Sequence, residues 1–323
     1  MSLCLAAGCV LPAGCGLGRQ LREAFGLTER VDYLLYGFDV LAVPNEPVEV
    51  QARLQEGPYL RDEDEVWLVF RHEKRTVARA RTDDEGIARG TFTPPGVGDY
   101  LLHVEVPDGQ VEGVPPAPAG LLVAVRRPEE SIVVIDVDKT LVASDFATVV
   151  EGDARPMPDS VRVVRRLSEA HTIVYLTLRP DHFGPKTKTW LRTTGYPTGP
   201  VWVSRFGELF DGNREYRRRH IERLRRRFPN VRVGIGDKIS DVEAYRATGL
   251  TAVLVVRPPQ EDEADDCREE ADELAELSEE VQVVRSWAEI EAVLFEGATF
   301  PPDRMVKILR ERAAALERSD ARP

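Results

Sequence analysis

Six residues carry the side chains from which a reaction can be built: Asp136, Asp138, Thr177, Arg217, Asp237 and Asp241. Asp136 and Asp138 leave the apolar run Ile132-Val-Val-Ile135, and in an extended chain residues two apart face the same side. Thr177 closes a second apolar run, Thr172 to Leu176, with a hydroxyl able to hydrogen-bond a phosphoryl oxygen. Asp237 and Asp241 follow a third, in Gly234-Ile-Gly236-Asp237-Lys-Ile-Ser-Asp241, where glycines let the backbone come close to an ion. This oxygen-only environment suits a hard divalent cation such as Mg2+. An Asp-x-Asp alone is weak, because Asp and Thr are common where strands end. Arriving in this order, the features are those that phosphoryl transfer through an aspartyl phosphate requires.

The elements that must position these groups follow from the hydrophobic pattern. After Pro128, short apolar strands alternate with helical stretches, the signature of a parallel sheet covered on both faces. Expected strands are Ile132 to Ile135, Thr172 to Leu176, Val201 to Val203, Val231 to Ile235, Ala252 to Val256 and Val281 to Val284. Helices are expected over Asp159 to Ala170, Pro185 to Thr194, Glu215 to Arg227, Asp241 to Thr248 and Trp287 to Phe295, with Asp159 and Ser286 as caps. Ligands of open parallel sheets bind beyond the carboxyl ends of the strands, where the Asp-x-Asp lies. The acidic stretch Gln260 to Glu280 reads as a solvated loop and helix.

Before residue 128 the period is two. Val48, Val50, Ala52 and Leu54 alternate with polar residues, as do Val66, Leu68 and Phe70, and turn signals recur at Gly57-Pro58, Asp83 to Gly86, Pro94 to Gly96 and Asp108-Gly109. Six or seven short strands argue for an antiparallel β-sandwich. The chain therefore divides into an N-terminal tail (1–30), a sandwich (31–127), an α/β domain (128–300) and a C-terminal helix (301–323), a multidomain arrangement that 323 residues accommodate.

Taken together, Asp136-Val-Asp-Lys-Thr140, Thr177, Arg217 and Gly236-Asp-Lys-Ile-Ser-Asp241 resemble the four motifs of the haloacid dehalogenase-like (HAD) phosphohydrolase superfamily. Within it, Asp136 to Ser144-Asp145, Tyr175-Leu-Thr-Leu-Arg-Pro180 with Thr187, Thr189 and Trp190-Leu191, and Gly236 to Tyr245, look like the catalytic domain of lipin-type phosphatidate phosphatases over about residues 131–257. Thr82 to Gly86 with Phe92, Pro94-Pro95 and Gly98-Asp-Tyr100 is similar to bacterial immunoglobulin-like modules. Lys139 stands where the lipin family usually has Gly, and Asp237 where lipins often have Asn. The resemblance implies a Rossmannoid domain in which Asp136 is the nucleophile and Asp138 the general acid and base. Mg2+ would be held by Asp136, the backbone carbonyl of Asp138 and Asp237, with Asp241 in support. Thr177 and Arg217 would bind phosphoryl oxygens, Arg214, Arg218 and Arg219 being the alternatives to Arg217. Lys139, Arg179 and His182 are candidate substrate contacts.

Residues 141–176 and 178–216 are too few for a large cap domain, so an open site is expected, suited to a bulky substrate. A phospholipid headgroup, phosphatidate above all, is favoured. The alternatives are a non-catalytic phosphatidate-binding module and a polynucleotide or phosphoprotein phosphatase. Arg214 to Arg227 holds eight Arg against two Glu and reads either as a soluble helix face or as a surface for anionic lipid. The net charge of -12 excludes whole-surface attraction to nucleic acid, and aromatic residues for base stacking are nearly absent among these arginines, so a nucleic-acid partner is not expected. The five histidines are scattered without metal-ligand spacing, which argues against zinc. Ala7-Gly8-Cys9 resembles a lipobox and Cys15 repeats the small-small-Cys pattern, without a charged start or a long apolar run. A lipid-anchored protein of the bacterial cell envelope is expected if that signal is real, and a cytoplasmic one otherwise.

Overall fold

The computed structural model describes residues 33–143, 154–205, 207–208, 211–256 and 264–320. The tail with Cys9 and Cys15, and Ser144-Asp145 after the Asp-x-Asp, lie outside the described residues.

Nine strands build the N-terminal sandwich: β1 (Tyr33–Phe38), β2 (Val40–Ala42), β3 (Val48–Glu56), β4 (Arg61–Asp62), β5 (Trp67–His72), β6 (Arg75–Arg81), β7 (Ile87–Phe92), β8 (Gly98–Glu105) and β9 (Ala119–Val125). One sheet joins β1, β3 and β4 with β7 paired to β3; the other runs β2-β9-β8-β5-β6. The alternation read from the sequence is the burial pattern: Val48, Val50, Ala52, Leu54, Leu68, Phe70, Leu102 and Val104 meet between the sheets. One pairing departs from the antiparallel expectation. The chain changes sheets at Asp39, so that β1 lies antiparallel to β3 while β2 lies parallel to β9. A three-residue strand after a crossover carries no periodic signal of its direction.

The second unit contains β10 (Ile132–Ile135), α1 (Ser160–Ser168), β11 (Thr172–Pro180), a 3-10 turn (Asp181–Phe183), α2 (Gly184–Thr194), β12 (Val201–Ser204), α3 (Asn213–Arg227), β13 (Val231–Gly236), α4 (Ile239–Ala247), β14 (Thr251–Val255), α5 (Ala264–Ala275), β15 (Gln282–Val284), α6 (Trp287–Glu296) and α7 (Pro302–Asp320). The six strands form a wholly parallel sheet in the order β12-β11-β10-β13-β14-β15. Each face is covered, which is why the strands are apolar throughout: Ile132 and Val134 pack with Tyr216, Ile221, Leu224 and Phe228 of α3, whereas Val133 and Ile135 pack with Val163, Val164 and Leu167 of α1 and Trp287 of α6. Leu41, Val43 and Ala124 of the sandwich join the first of these clusters, so the two units share a continuous core.

Of the two expected caps, Ser286 accepts from the Glu289 amide. Asp159 does not cap. Its backbone is left-handed (φ 63°) and its side chain makes no cap hydrogen bond, while the buried Ser160 hydroxyl bonds the Met157 carbonyl at 2.6 Å instead.

Candidate functional site

The order of strand addition reverses between β10 and β13, because β11 and β12 add on one side of β10 and β13 to β15 on the other. Such a switch point opens a crevice at the carboxyl ends of the strands. Asp136 follows β10 directly, its amide bonding the Ile235 carbonyl at 2.9 Å, and Asp237 follows β13. Asp241 enters from the first turn of α4, held by the Lys238 amide on its Oδ2 at 3.3 Å. A Cβ at position 236 would lie 2.4 Å from that same oxygen, so the glycine is what admits Asp241. One carboxylate oxygen from each of Asp136, Asp237 and Asp241 lies within 4.8 Å of the others.

Three carboxylates this close oppose one another's ionisation. Burial, and then Asp241, Asp237 and Asp138, push Asp136 up against the opposing pull of Arg217; Asp237 is raised by burial and by Asp241. Among the described residues, Arg217 is the cation buried with these carboxylates, its Nη2 2.6 Å from Asp136 Oδ1 and its Nε 2.5 Å from Asp241 Oδ1. Its Nη1 donates to the Leu176 carbonyl at 2.8 Å. Burial disfavours its charge, but Asp241 and Asp136 outweigh that and hold the guanidinium cationic. The donor set fits a hard divalent ion: oxygen only, convergent, and richer in carboxylates than Arg217 alone offsets.

Asp138 has separate partners. Its carboxylate is gripped at both oxygens by Arg179, Nη2 to Oδ1 at 2.7 Å and Nε to Oδ2 at 2.9 Å, with the Thr177 hydroxyl 3.4 Å from Oδ2. Arg179 is braced in turn by the Thr187 hydroxyl, which accepts from Nη1 at 3.0 Å and donates to the Phe183 carbonyl at 3.0 Å. The carboxylate of Asp138 is thus outside the three-carboxylate cluster. Lys139 is exposed on a left-handed backbone (φ 56°), a conformation glycine takes without strain, which accounts for the glycine usual at this position in the proteins it resembles. His182 lies beyond Arg179 on the 3-10 turn, its ring tilted 43° to that of Phe183 with the centroids 4.5 Å apart.

Among Arg214, Arg217, Arg218 and Arg219, only Arg217 reaches the carboxylates. Arg214 pairs with Glu243, Arg218 with Glu215 and Glu222, Arg219 with Asp211, and farther along α3 Arg227 pairs with Glu46. Much of the positive charge on α3 is therefore matched locally. Two residues absent from the sequence-based set belong to the site. Asn213 accepts from Arg217 Nε at 3.0 Å and donates to Ser240 at 2.8 Å and to Asp241. Tyr216 donates to the Thr177 carbonyl at 3.0 Å, tying α3 to the end of β11. Asn213 stands one helical turn before Arg217, the only sequence signal either residue offered.

A parallel sheet of Rossmann strand order with a carboxylate cluster at its switch point defines the second unit as an α/β domain. Residues 133–255 match the family described as PITM 1-3, LNS2 domain, a lipin-like domain of HAD-like fold. No curated protein matches the chain. Solved structures similar to parts of it include a HAD-like phosphatase from Mesorhizobium loti (12% identity, 66% of this chain and 94% of that one, TM-score 0.38). Others are the D0-D1 domain of intimin (18% identity, 29% of this chain, TM-score 0.22) and the fibronectin(III)-like modules of Clostridium thermocellum CbhA (13% identity, 29% of this chain and 100% of that one, TM-score 0.20). The chain spans about half of the intimin fragment, 48%.

Proposed function

We propose that the protein is a phosphatase that hydrolyses a phosphate monoester through an aspartyl phosphate on Asp136, with phosphatidate or a related phospholipid as substrate. The observation that carries this reading is the division of labour between two carboxylates two residues apart: Asp136 sits in the cluster with Asp237, Asp241 and Arg217, while Asp138 stands outside it on Arg179.

Asp136, Asp237 and Asp241, with the Asp138 backbone carbonyl, would hold Mg2+, which when bound neutralises charge between the carboxylate nucleophile and an anionic phosphate. Arg217 engages Oδ1 of Asp136 and so fixes the plane of the carboxylate that attacks phosphorus. As the Asp136–phosphorus bond forms and the ester P–O bond breaks, Asp138 gives its proton to the leaving oxygen. Asp138 then takes a proton from the water that attacks the phosphoryl group, returning Asp136 as a carboxylate and releasing inorganic phosphate. The Thr177 hydroxyl would bind the phosphoryl oxygens, and Lys139 and His182 would contact the rest of the substrate.

The lipid preference rests on the match of residues 133–255 to the LNS2 domain and on the resemblance of the Tyr175 to Leu191 stretch to lipins. Membrane association is proposed to be peripheral or through a lipid anchor; no helix among the described residues is long and apolar enough to cross a bilayer. The test is Mg2+-dependent release of phosphate from phosphatidate in mixed micelles, with Asp136→Asn and chelator as controls. Release abolished by both is the expected result. Turnover of an aryl phosphate but not of phosphatidate would keep the phosphatase and discard the lipid, and no turnover of either would replace the enzyme with a binding module.

A further inference from the structure

The segment that closes one side of the site is held from outside the α/β domain. The 3-10 turn and α2 carry His182, Lys186 and Thr187, and Thr187 braces Arg179 and through it Asp138. Only Gly184, Thr187 and Leu191 of α2 are buried, and the helix packs on β12 and on β1 of the sandwich. At the head of this segment, Arg53 of β3 places Nη1 2.7 Å from Asp181 Oδ2. Both side chains are buried, 11% and 4% exposed. The other oxygen of Asp181 accepts the His182 amide at 2.9 Å, which fixes the turn. Arg53 arrives already oriented, because Asp62 takes its Nε and its Nη2, each at 2.9 Å.

A second grip lies farther along. Lys188 of α2 donates to Asp39 Oδ1 at 2.6 Å and to the Gly37 carbonyl at 2.8 Å. Asp39 Oδ2 accepts from the Val201 amide, the first residue of β12, at 3.0 Å, and its Oδ1 also accepts from Leu122 at 2.8 Å. The residue at which the sandwich chain changes sheets is therefore also the one that holds α2 and β12.

A buried ion pair is a poor adhesive, since the desolvation of both charges offsets much of their attraction and apolar residues of like volume bind as well. What it confers is direction. We infer that the sandwich completes the site as a rigid clamp, and that Arg53 is a positioning residue which, through Asp181, sets the turn so that Arg179 presents Asp138 beside Asp136. The kinetic consequence rests on the phosphatase reading; the mechanical one does not.

The experiment uses the full chain and compares wild type with Arg53→Met, Arg53→Lys and Asp62→Asn. Turnover of p-nitrophenyl phosphate with Mg2+ is measured together with amide hydrogen exchange. Arg53→Met is expected to lower kcat about tenfold or more with KM for this small ester within about twofold, the pattern of a misplaced group rather than a lost contact. Exchange should quicken over residues 179–190 and stay unchanged over 231–256. Arg53→Lys should recover part of kcat. Asp62→Asn, which loosens Arg53 only on the sandwich side, should lower Tm while keeping most of kcat. Wild-type kcat and exchange in Arg53→Met would overturn the inference, as would losses of kcat that track Tm equally in Arg53→Met and Asp62→Asn. Should Arg53→Met not fold, Arg53→Lys and Asp181→Asn carry the same comparison. If wild type hydrolyses nothing, the phosphatase reading fails and the exchange measurement alone decides the clamp.

Discussion

The floor and the wall of this site are built on different principles. Asp136, Asp237, Asp241 and Arg217 form the floor, and each comes from a strand end or from a helix beside it in the same α/β domain. Asp138, Arg179 and Thr187 form the wall, whose last support is Arg53, 128 residues from Asp181 in the chain. The floor concentrates like charge in a buried place and is stable only because Arg217 sits within it. The wall is a chain of directed hydrogen bonds between groups of opposite charge, with Asp138 27% exposed. One region thus stores electrostatic demand for a cation, and the other stores geometry.

Substitutions in the floor should have the largest effects. Asp136→Asn removes the proposed nucleophile and is expected to lower kcat by about 10^4-fold, roughly 5 kcal/mol of barrier, with Tm maintained or raised as one like charge disappears. Phosphate release and a thermal scan of the same preparation check both halves. Arg217→Met should destabilise the fold by about 3–5 kcal/mol in urea titration, since it strips the partner from two buried carboxylates. Arg179→Met removes a partner from a carboxylate that water reaches, and a loss of about 1–2 kcal/mol is expected there. Equal losses for the two arginines would erase the distinction between floor and wall.

The same distinction governs what could be read from the chain. Residues that directly follow an apolar strand are marked by local pattern, which is why Asp136 after Ile135 and Asp237 after Gly236 are legible in the sequence. Arg217 needed the structure to separate it from Arg214, Arg218 and Arg219, because a shift of one or two residues on a helix turns a side chain from core to solvent and all four carry the same charge. The support behind the wall was invisible for another reason. Arg53 and Asp181 meet across two domains, and nothing in the period-two pattern of β3 distinguishes Arg53 from any polar residue facing away from the sandwich core. The parallel pairing of β2 and the left-handed backbones of Asp159 and Lys139 were equally silent, being set by packing around them rather than by their own side chains.

Metal removal tests the floor's electrostatic demand. Asp136 is pushed up to about 8 and Asp237 to about 6, burial being the largest cause in each. The folded metal-free protein then keeps protons that the unfolded chain gives up near pH 4. Its stability is fully present below that pH and falls as pH rises toward 8. Tm in chelator should therefore decline between pH 5 and pH 8, and Mg2+ should restore most of the loss at pH 8 and little at pH 5, where protons still compete for the carboxylates. A chelated protein whose Tm is flat over this range, or unmoved by Mg2+, would remove the electrostatic demand from the account of the floor.

The wall should show the opposite dependence on pH, and more weakly. Burial tends to raise Asp181, but its hydrogen bond with His182 and its pairing with Arg53 outweigh that and hold it below the usual carboxylate range. A depressed carboxylate contributes stability that is present above the unfolded-state value near 4 and is lost as pH falls through the lower folded-state value. Wild type should accordingly lose more stability than Asp181→Asn as pH is taken from 5 to 3, the two curves converging at the acid end, with a separation of about 2–4 °C in Tm at pH 5. The measurement is a Tm series at fixed ionic strength in saturating Mg2+, which suppresses the floor's contribution at the upper end. Parallel curves would mean that Asp181 titrates no differently in the folded chain than in the unfolded one, and that the contact with Arg53 orients the turn without holding its charge.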